Sequence, residues 1–324
     1  MAIVTTRWGI LSTGGIASTF ATDLARTPGA ELLAVGSRTA AAAKDFAGRF
    51  AIPRAYGSWA ELAADPDLDV VYVATPHSAH YEATDLLLRG GKAVLCEKPF
   101  TLDVAQATAL VDLAAQRGLF LMEAMWMRCT PAIRRLVQLV STGAIGEVRA
   151  IHADFGLSMA LPPTHRLRAR ELGGGALLDL GVYPVAFAQL FLGEPDRIAA
   201  WAALSPQGVD ENTGLLFGYA SGALATLSCS LVADTPRIAS ITGTAGRVEI
   251  ARGFFRPDTL VLHQGDLTEM IPVPYEGDGY VHEALEVQRC LADGLISSPL
   301  VPLADTLAVM RTLDAARAQI GVHY

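Results

Sequence analysis

Three short stretches of this 324-residue chain combine residue types that do chemistry with the turns that would hold them. In VLCEKPFT (94–101) an apolar run meets Glu97, Lys98 and Pro99. Proline cannot donate to a β-ladder, so the strand ends there and Lys98 falls at its C-terminal edge. A lysine at such an edge can stabilise a substrate oxygen or trade a proton with it, and Glu97 can orient it and set its protonation. In GGGALLDLGVYP (173–184), Asp179 and Tyr183 stand at i and i+4, which a helix places on one face. A tyrosine beside an ammonium has its phenolate favoured and can serve as general acid or base.

The third stretch is GILSTGGIAS (9–18), a glycine-rich turn between a strand and a helix. Such a turn lets a diphosphate approach backbone N–H groups at a helix N-terminus. Ser12, Gly14 and Ala17 occupy the three positions of the G-x-G-x-x-G/A pattern, so only the middle glycine is standard. The candidate contacts are Ser12, Thr13, Gly14, Gly15 and Ile16, with Ser12 taking positive φ less readily than glycine. In VGSRTAAAAK (35–44), Ser37 and Arg38 stand where an NAD site carries a carboxylate for the ribose. With no carboxylate to repel a 2′-phosphate and an arginine to bind it, the expectation is NADP, with Lys44 as a second cation. In ATPHSAHYE (74–82), Thr75, Pro76 and His80 are candidate cofactor contacts, while His77 and His80 also read as polar residues at a helix start.

These residues need a scaffold, and the pattern supplies one. Strand-like 8–12, 31–37, 69–76, 92–96 and 119–124 alternate with helix-like segments containing Ile16, Phe20 and Leu24, then 39–50, 80–91 and 103–118. Ser58 and Glu61 form an S-x-x-E capping box on a further short helix. That alternation predicts a parallel sheet of Rossmann type with its ligand edge at the strand C-termini. After a boundary at 125/126 the pattern changes. A helix (131–146), a long strand (147–158), a loop (162–175) and a helix around Pro184 (176–193) lead into turn-rich strands from 197 to 273 and two closing helices. The expected fold is α/β: residues 1–125 form the dinucleotide-binding domain, and residues 126–324 form a second domain whose short turns suggest an antiparallel sheet.

Composition narrows the class. The chain is 51% hydrophobic and 18% charged with net charge −8, an ordinary globular balance without a basic surface for nucleic acid. Cys96, Cys129, Cys229 and Cys290 are scattered, which argues against zinc or a disulfide framework; no metal is expected. MAIVTTRWGI lacks a leader pattern, and no uncharged apolar run approaches the roughly 20 residues of a membrane span. The expectation is a cytoplasmic enzyme with no membrane or nucleic-acid partner.

Taken together, WGILSTGGIA, ATPHSAHYE, CEKPF, MEAMWMR, GAIGEVRAIHADFG, GGGALLDLGVYP and the final IGVHY resemble the Gfo/Idh/MocA oxidoreductases across essentially the whole chain. The resemblance implies that Lys98 is the family lysine. Many members carry D-x-x-x-H where this chain has Asp179 and Tyr183, and the tyrosine is similar to the dihydrodiol dehydrogenase and glucose–fructose oxidoreductase branches. It implies Tyr183 as acid/base, Lys98 assisting, and Asp179 binding substrate or positioning Tyr183. It further implies a Rossmann domain and, over 126–324, a substrate-binding and dimerisation α/β domain with a large, mostly antiparallel open sheet. With these come a substrate pocket near Trp126, Arg128 and Phe155, with one of Arg166, Arg168 and Arg170 reaching the site, and a homodimer or higher homo-oligomer. The function expected is NADP-dependent hydride transfer at a secondary alcohol or ketone of a sugar or cyclic trans-diol. Alternatives are an oxo-sugar reductase, a non-catalytic NADP(H)-binding regulator, against which the Lys98–Tyr183 pair argues, and an NAD-dependent glycosidase, against which Ser37 and Arg38 argue.

Overall fold

The computed structural model describes residues 5–324; residues 1–4, the start of the stretch read above for a leader, lie outside the described residues. The chain forms two compact units. The first runs to Thr101 and adds Ala105–Cys129 and Glu276–Thr306; the second holds Leu102–Val104, Thr130–Tyr275 and Leu307–Tyr324.

In the first unit the order is β1 (Thr6–Leu11), α1 (Gly15–Leu24), β2 (Ala30–Gly36), α2 (Ala40–Phe50), β3 (Arg54–Tyr56), α3 (Trp59–Ala63), β4 (Val70–Val73), α4 (His80–Arg89), β5 (Ala93–Glu97), α5 (Val104–Arg117) and β6 (Leu121–Ala124). All strand pairs are parallel, in the order β3-β2-β1-β4-β5-β6. β4 and β5 are buried along their whole length, as their unbroken apolar runs require of strands covered on both faces. Phe20, Ala21 and Leu24 lay the apolar face of α1 into the core. Burying a side chain of that size contributes about 2 kcal/mol. The strand order reverses between β1 and β4, so the crevice for a ligand opens at their C-terminal ends.

Two local readings change. The three-residue edge strand β3 pairs with β2 and was not among the five expected strands, being too short to show a period. The capping box is half reciprocal: Ser58 accepts from the Glu61 N–H at 3.2 Å, but Glu61 accepts from Gly57 rather than from Ser58.

The second unit contains α6 (Pro131–Ser141), β7 (Val148–Gly156), a wide π turn (Leu177–Gly181), α7 (Val182–Leu192), β8 (Arg197–Leu204), β9 (Asp210–Gly218), β10 (Leu224–Ser230), β11 (Ala239–Gly243), β12 (Arg247–Ile250), β13 (Thr259–Gln264) and β14 (Leu267–Pro272). Two helices close the chain: α8 (Val281–Ala292), which belongs to the first unit, and α9 (Leu303–Ile320). The eight strands run β14-β13-β12-β11-β7-β10-β9-β8, and all pairs are antiparallel except β7 with β10. Period-two alternation gives this sheet two faces. Ile151, Leu215, Phe217, Ala225, Leu227, Ile241, Val248 and Leu262 are buried, and α7 packs on β7 and β10. On the other face one in-register row crosses all eight strands: Ala199, Leu216, Thr226, His152, Ser240, Glu249, Val261 and Met270, every one exposed or half-exposed.

Residues 170–192 are long and apolar enough to cross a membrane by length and composition, but most of the stretch is buried inside the structure, as a core helix is. Pro184 falls in the first turn of α7, directly after the π turn. Proline lacks an N–H and its ring needs room toward the preceding turn, which a wide turn provides.

Candidate active site

The first unit gathers its candidates at the C-terminal ends of β1, β2, β4 and β5. Ser12 has φ of 119°, a left-handed value that costs a residue with a side chain of order 1–3 kcal/mol. Its N–H donates to the Gly36 carbonyl at 2.9 Å, holding the turn open beside β2. Gly14 caps α1 with no side-chain bond, and no acidic residue occupies the first turn. A Cβ at Gly14 would meet only the Ser12 hydroxyl at 3.8 Å, and one at Gly15 would meet nothing within 4 Å. Exposed N–H groups, free space and the positive end of a helix fit a diphosphate. Thr13 and Ile16 are half-buried beside this turn.

Ser37 is buried at the end of β2, and Arg38 and Lys44 are exposed. Thr39 caps α2, whose first turn also lacks an acidic residue, so no carboxylate opposes a phosphate there. Thr75 is buried, with its hydroxyl unpartnered among the described residues, and Pro76, exposed, follows it. That orphaned hydroxyl at the crevice is what a dinucleotide site would use.

Lys98 is half-buried, and its bond to Pro99 is cis. Glu97 turns inward: it takes the phenolic proton bond of Tyr72 and accepts from the Lys98 N–H at 3.0 Å. Tyr72 in turn stacks on Phe20 at 3.9 Å. Glu283 of α8 is fully buried nearby, and burial first, then Glu97 and Asp23, push its pKa well above the usual carboxylate range. His80 is fully buried; Nδ1 lies 2.8 Å from the Pro99 carbonyl oxygen and Nε2 2.9 Å from that of Thr75. Both ring nitrogens of His80, expected to contact the cofactor, face backbone carbonyls of two strand ends. His77 packs against it, ring to ring at 5.8 Å. Trp126 is buried against Tyr280 at 4.8 Å, with Gly279 beneath its ring. Arg128, expected in the substrate pocket, is turned to Asp305 at 2.7 Å, with little of its side chain exposed.

In the second unit, Asp179 and Tyr183 are both buried and follow one another through the π turn and the start of α7. Tyr183 stands among aromatic rings, 5.4 Å from Phe155 and 5.6 Å from Phe255, which stack on each other at 4.5 Å. Of the three loop arginines, Arg166 reaches Asp179 at 3.4 Å through both terminal nitrogens. Arg168 pairs with Glu211, and the Arg170 Nε donates to the His323 carbonyl at 2.6 Å. Phe255, Tyr72, Glu283 and Tyr280 escaped the sequence reading because they lie in segments without a motif. The buried Glu in an otherwise amphipathic α8 was the one readable signal.

A crevice at the strand-order switch, with a bare helix N-terminus and a carboxylate-free end of the second strand, defines a dinucleotide-binding protein. The family models make this specific: residues 6–125 match the Gfo/Idh/MocA oxidoreductase family with its NAD-binding Rossmann fold, and residues 133–249 match the Gfo/Idh/MocA C-terminal domain. The chain belongs to that family. It is 39% identical over 330 residues to trans-1,2-dihydrobenzene-1,2-diol dehydrogenase of Mus musculus, covering 98% of each chain, and 38% identical to the Xenopus tropicalis enzyme of the same name, covering 98% of this chain and 99% of that one. Among solved structures it is similar to KijD10, a 3-ketoreductase from Actinomadura kijaniata in complex with NADP and TDP-benzene, with TM-score 0.87, 30% identity and 98% of each chain covered. It is also similar to aldose-aldose oxidoreductase from Caulobacter crescentus complexed with glycerol, with TM-score 0.89, 26% identity and 97% of each chain covered.

Proposed function

We propose that this oxidoreductase uses NADP to oxidise a secondary alcohol of a cyclic trans-diol or a sugar. The observation that carries the reading is full-length identity near 38% to trans-dihydrodiol dehydrogenases, together with the Asp179–Tyr183 arrangement in its aromatic surround. NADP is supported by Ser37 and Arg38 with no carboxylate beside them, and by the NADP held in the 3-ketoreductase.

When bound, the nicotinamide supplies the hydride acceptor or donor. The chain's own residues manage the proton. Tyr183 takes the hydroxyl proton of the alcohol as it is oxidised and returns it to the carbonyl oxygen in reduction. The Lys98 ammonium stabilises negative charge on that oxygen. Asp179, held by Arg166, accepts from a substrate hydroxyl or orients Tyr183. Phe155 and Phe255 keep water from the phenol and offer an apolar wall to a ring-shaped substrate. Glu97, with Tyr72 behind it, fixes the backbone of Lys98.

A second reading, reduction of an oxo-sugar, is favoured by the likeness to a 3-ketoreductase. One panel separates the two: trans-dihydrodiols, aldoses and cyclic polyols with NADP⁺, and oxo-sugars with NADPH, followed at nicotinamide absorbance. Lys98→Met and Tyr183→Phe are expected to keep NADP binding and to lose turnover by about 10²-fold or more. Normal turnover in both variants would show the assignment to be wrong.

We also propose that two copies associate through the open face of the eight-stranded sheet, where Trp201, Leu204, Leu216 and Leu224 stand exposed. A cytoplasmic location is proposed as well; the four buried free thiols suit a reducing compartment.

A further inference from the structure

The wide turn that carries Asp179 has no side-chain cap of its own. N–H groups at a helix start must find partners elsewhere. Here the partner is Asp210, a buried residue at the start of β9, which accepts from the Leu177 N–H at 2.7 Å and from the Thr213 hydroxyl at 2.6 Å. A carboxylate at this place also complements the positive end of the helix.

The approach is close. Gly175 has φ of 121°, and a Cβ there would lie 2.3 Å from Asp210 Oδ1 and 3.2 Å from the hydroxyl oxygen of Tyr324. At Gly174 a Cβ would lie 2.7 Å from the Leu167 carbonyl oxygen. Only glycine fits either position. Tyr324, which follows α9, donates its hydroxyl to the Gly174 carbonyl. Its ring lies under the Arg317 guanidinium at 5.0 Å, and its neighbour's carbonyl, that of His323, is held by Arg170. Two long-range ties, from β9 to Leu177 and from the segment after α9 to Gly174, thus converge on residues 174–177. The same loop carries Arg166 to Asp179.

We infer that Tyr324 and Asp210 are positioning residues for Asp179 and Tyr183, fixing residues 174–177 and through them the register of the wide turn. The inference rests on the assignment of Asp179 and Tyr183 made above. Neither Tyr324 nor Asp210 touches the reacting atoms. They act by holding the helix start, where a displacement of an ångström misaligns the proton-transfer geometry.

The test compares Tyr324→Phe, Asp210→Ala, Asp210→Asn and Tyr183→Phe. It measures kcat, substrate KM, NADP⁺ Kd by fluorescence, and the deuterium isotope effect on kcat with the best panel substrate labelled at its carbinol carbon. Tyr324→Phe keeps the ring and loses the tie; kcat is expected to fall about tenfold. NADP⁺ Kd stays unchanged, and the isotope effect rises as the chemical step, in which proton and hydride leave the carbinol together, becomes limiting. Asp210→Ala is expected to fall further, and Asp210→Asn, which still accepts from Leu177, to recover most of the loss. A merely structural role would lower the folded fraction, so Vmax and NADP⁺ stoichiometry would drop together with an unchanged isotope effect; that outcome overturns the inference. So do Tyr324→Phe and Asp210→Ala at wild-type kcat while Tyr183→Phe is slow. Tyr183→Phe at wild-type rate overturns the catalytic assignment and this inference with it. If Asp210→Ala does not fold, Tyr324→Phe decides.

Discussion

His80 bridges the ends of two neighbouring strands, with one ring nitrogen 2.8 Å from the Pro99 carbonyl oxygen and the other 2.9 Å from that of Thr75. Burial, reinforced by His77, pushes its pKa down to about 3, so the ring is neutral at any working pH and donates to only one of the two carbonyls. Its task is mechanical: the neutral ring, bonded to one carbonyl and packed against the other, fills the space between the turn that presents Lys98 and the turn that presents Thr75. His80→Ala is expected to cost about 1–3 kcal/mol of stability. It should also weaken NADP⁺ binding, while leaving the ionisations in the pH–rate profile where they are. Denaturant melts and a pH series on the variant check this; a displaced limb in the profile would mean that the histidine takes part in proton transfer.

Arg38 stands exposed at the end of β2 with no acidic residue in the following helical turn. A charge-assisted bond to a 2′-phosphate is worth about 1.5–3 kcal/mol, or roughly 10–150-fold in preference. Arg38→Asp is expected to lower kcat/KM for NADP⁺ by that factor and to leave NAD⁺ unchanged or improved. An unchanged ratio of the two cofactors in Arg38→Asp would place the phosphate-binding residue elsewhere.

The parts of this chain that were legible in sequence are those whose cause is local. The parallel strands show as unbroken apolar runs, β4 and β5 above all, and the outer sheet as alternation. The place of Lys98 just past a strand end was legible because proline marks such an end, and the helical setting of Asp179 and Tyr183 because of their spacing. What escaped is non-local. The π turn cannot be read from a spacing that serves an α-helix equally well. No local pattern says that Arg166 reaches Asp179 while Arg168 goes to Glu211 and Arg170 to His323. Nor does one say that residues 276–306 return to the first unit, where Asp23 accepts from the Asp278 and Tyr280 N–H groups. The positive φ of Ser12 was foreseeable as a cost but not as a fact, because only the closed turn compels it.

Glu123 of β6 offers a test in solution. Its carboxyl is buried, receives the Thr306 hydroxyl at 2.9 Å and leaves its other oxygen unpartnered among the described residues. Burial, with Glu97 adding to it, pushes its pKa up to about 7 from the usual 4.5. The sign follows from proton linkage: the folded state holds this proton more tightly than the unfolded state. The contribution is fully present below about pH 4.5, declines as pH rises toward 7, and is lost above it, an effect of at most about 3 kcal/mol. Glu123→Gln keeps an acceptor for Thr306 and removes the titration. The melting temperature of the wild type should therefore fall relative to Glu123→Gln between pH 5 and pH 8, and parallel curves would mean that the carboxylate is ionised in the fold throughout.

The open sheet face gives the last prediction. Trp201 is 72% exposed on β8, Leu216 lies on the next strand at 47% and Leu224 on the one after at 51%. Leu216 and Leu224 point away from the face that packs on α7, because Leu215, Phe217 and Ala225, one step along in the same strands, are buried, and Trp201 pairs with Gly214 on the side of Leu216. A soluble chain seldom leaves such a row uncovered, and a stable dimer needs about 800 Å² from each partner, which an eight-stranded face can supply. Light scattering is expected to give twice the chain mass for the wild type. In Trp201→Glu/Leu216→Glu, like charges would have to be buried against one another without partners, a cost of several kcal/mol per ion. That variant should run as a folded monomer whose melting temperature drops by no more than association contributes at the concentration used, since both side chains are outside the core of their unit. A wild type that is monomeric at micromolar concentration, or a double variant that still dimerises, would assign association to another surface.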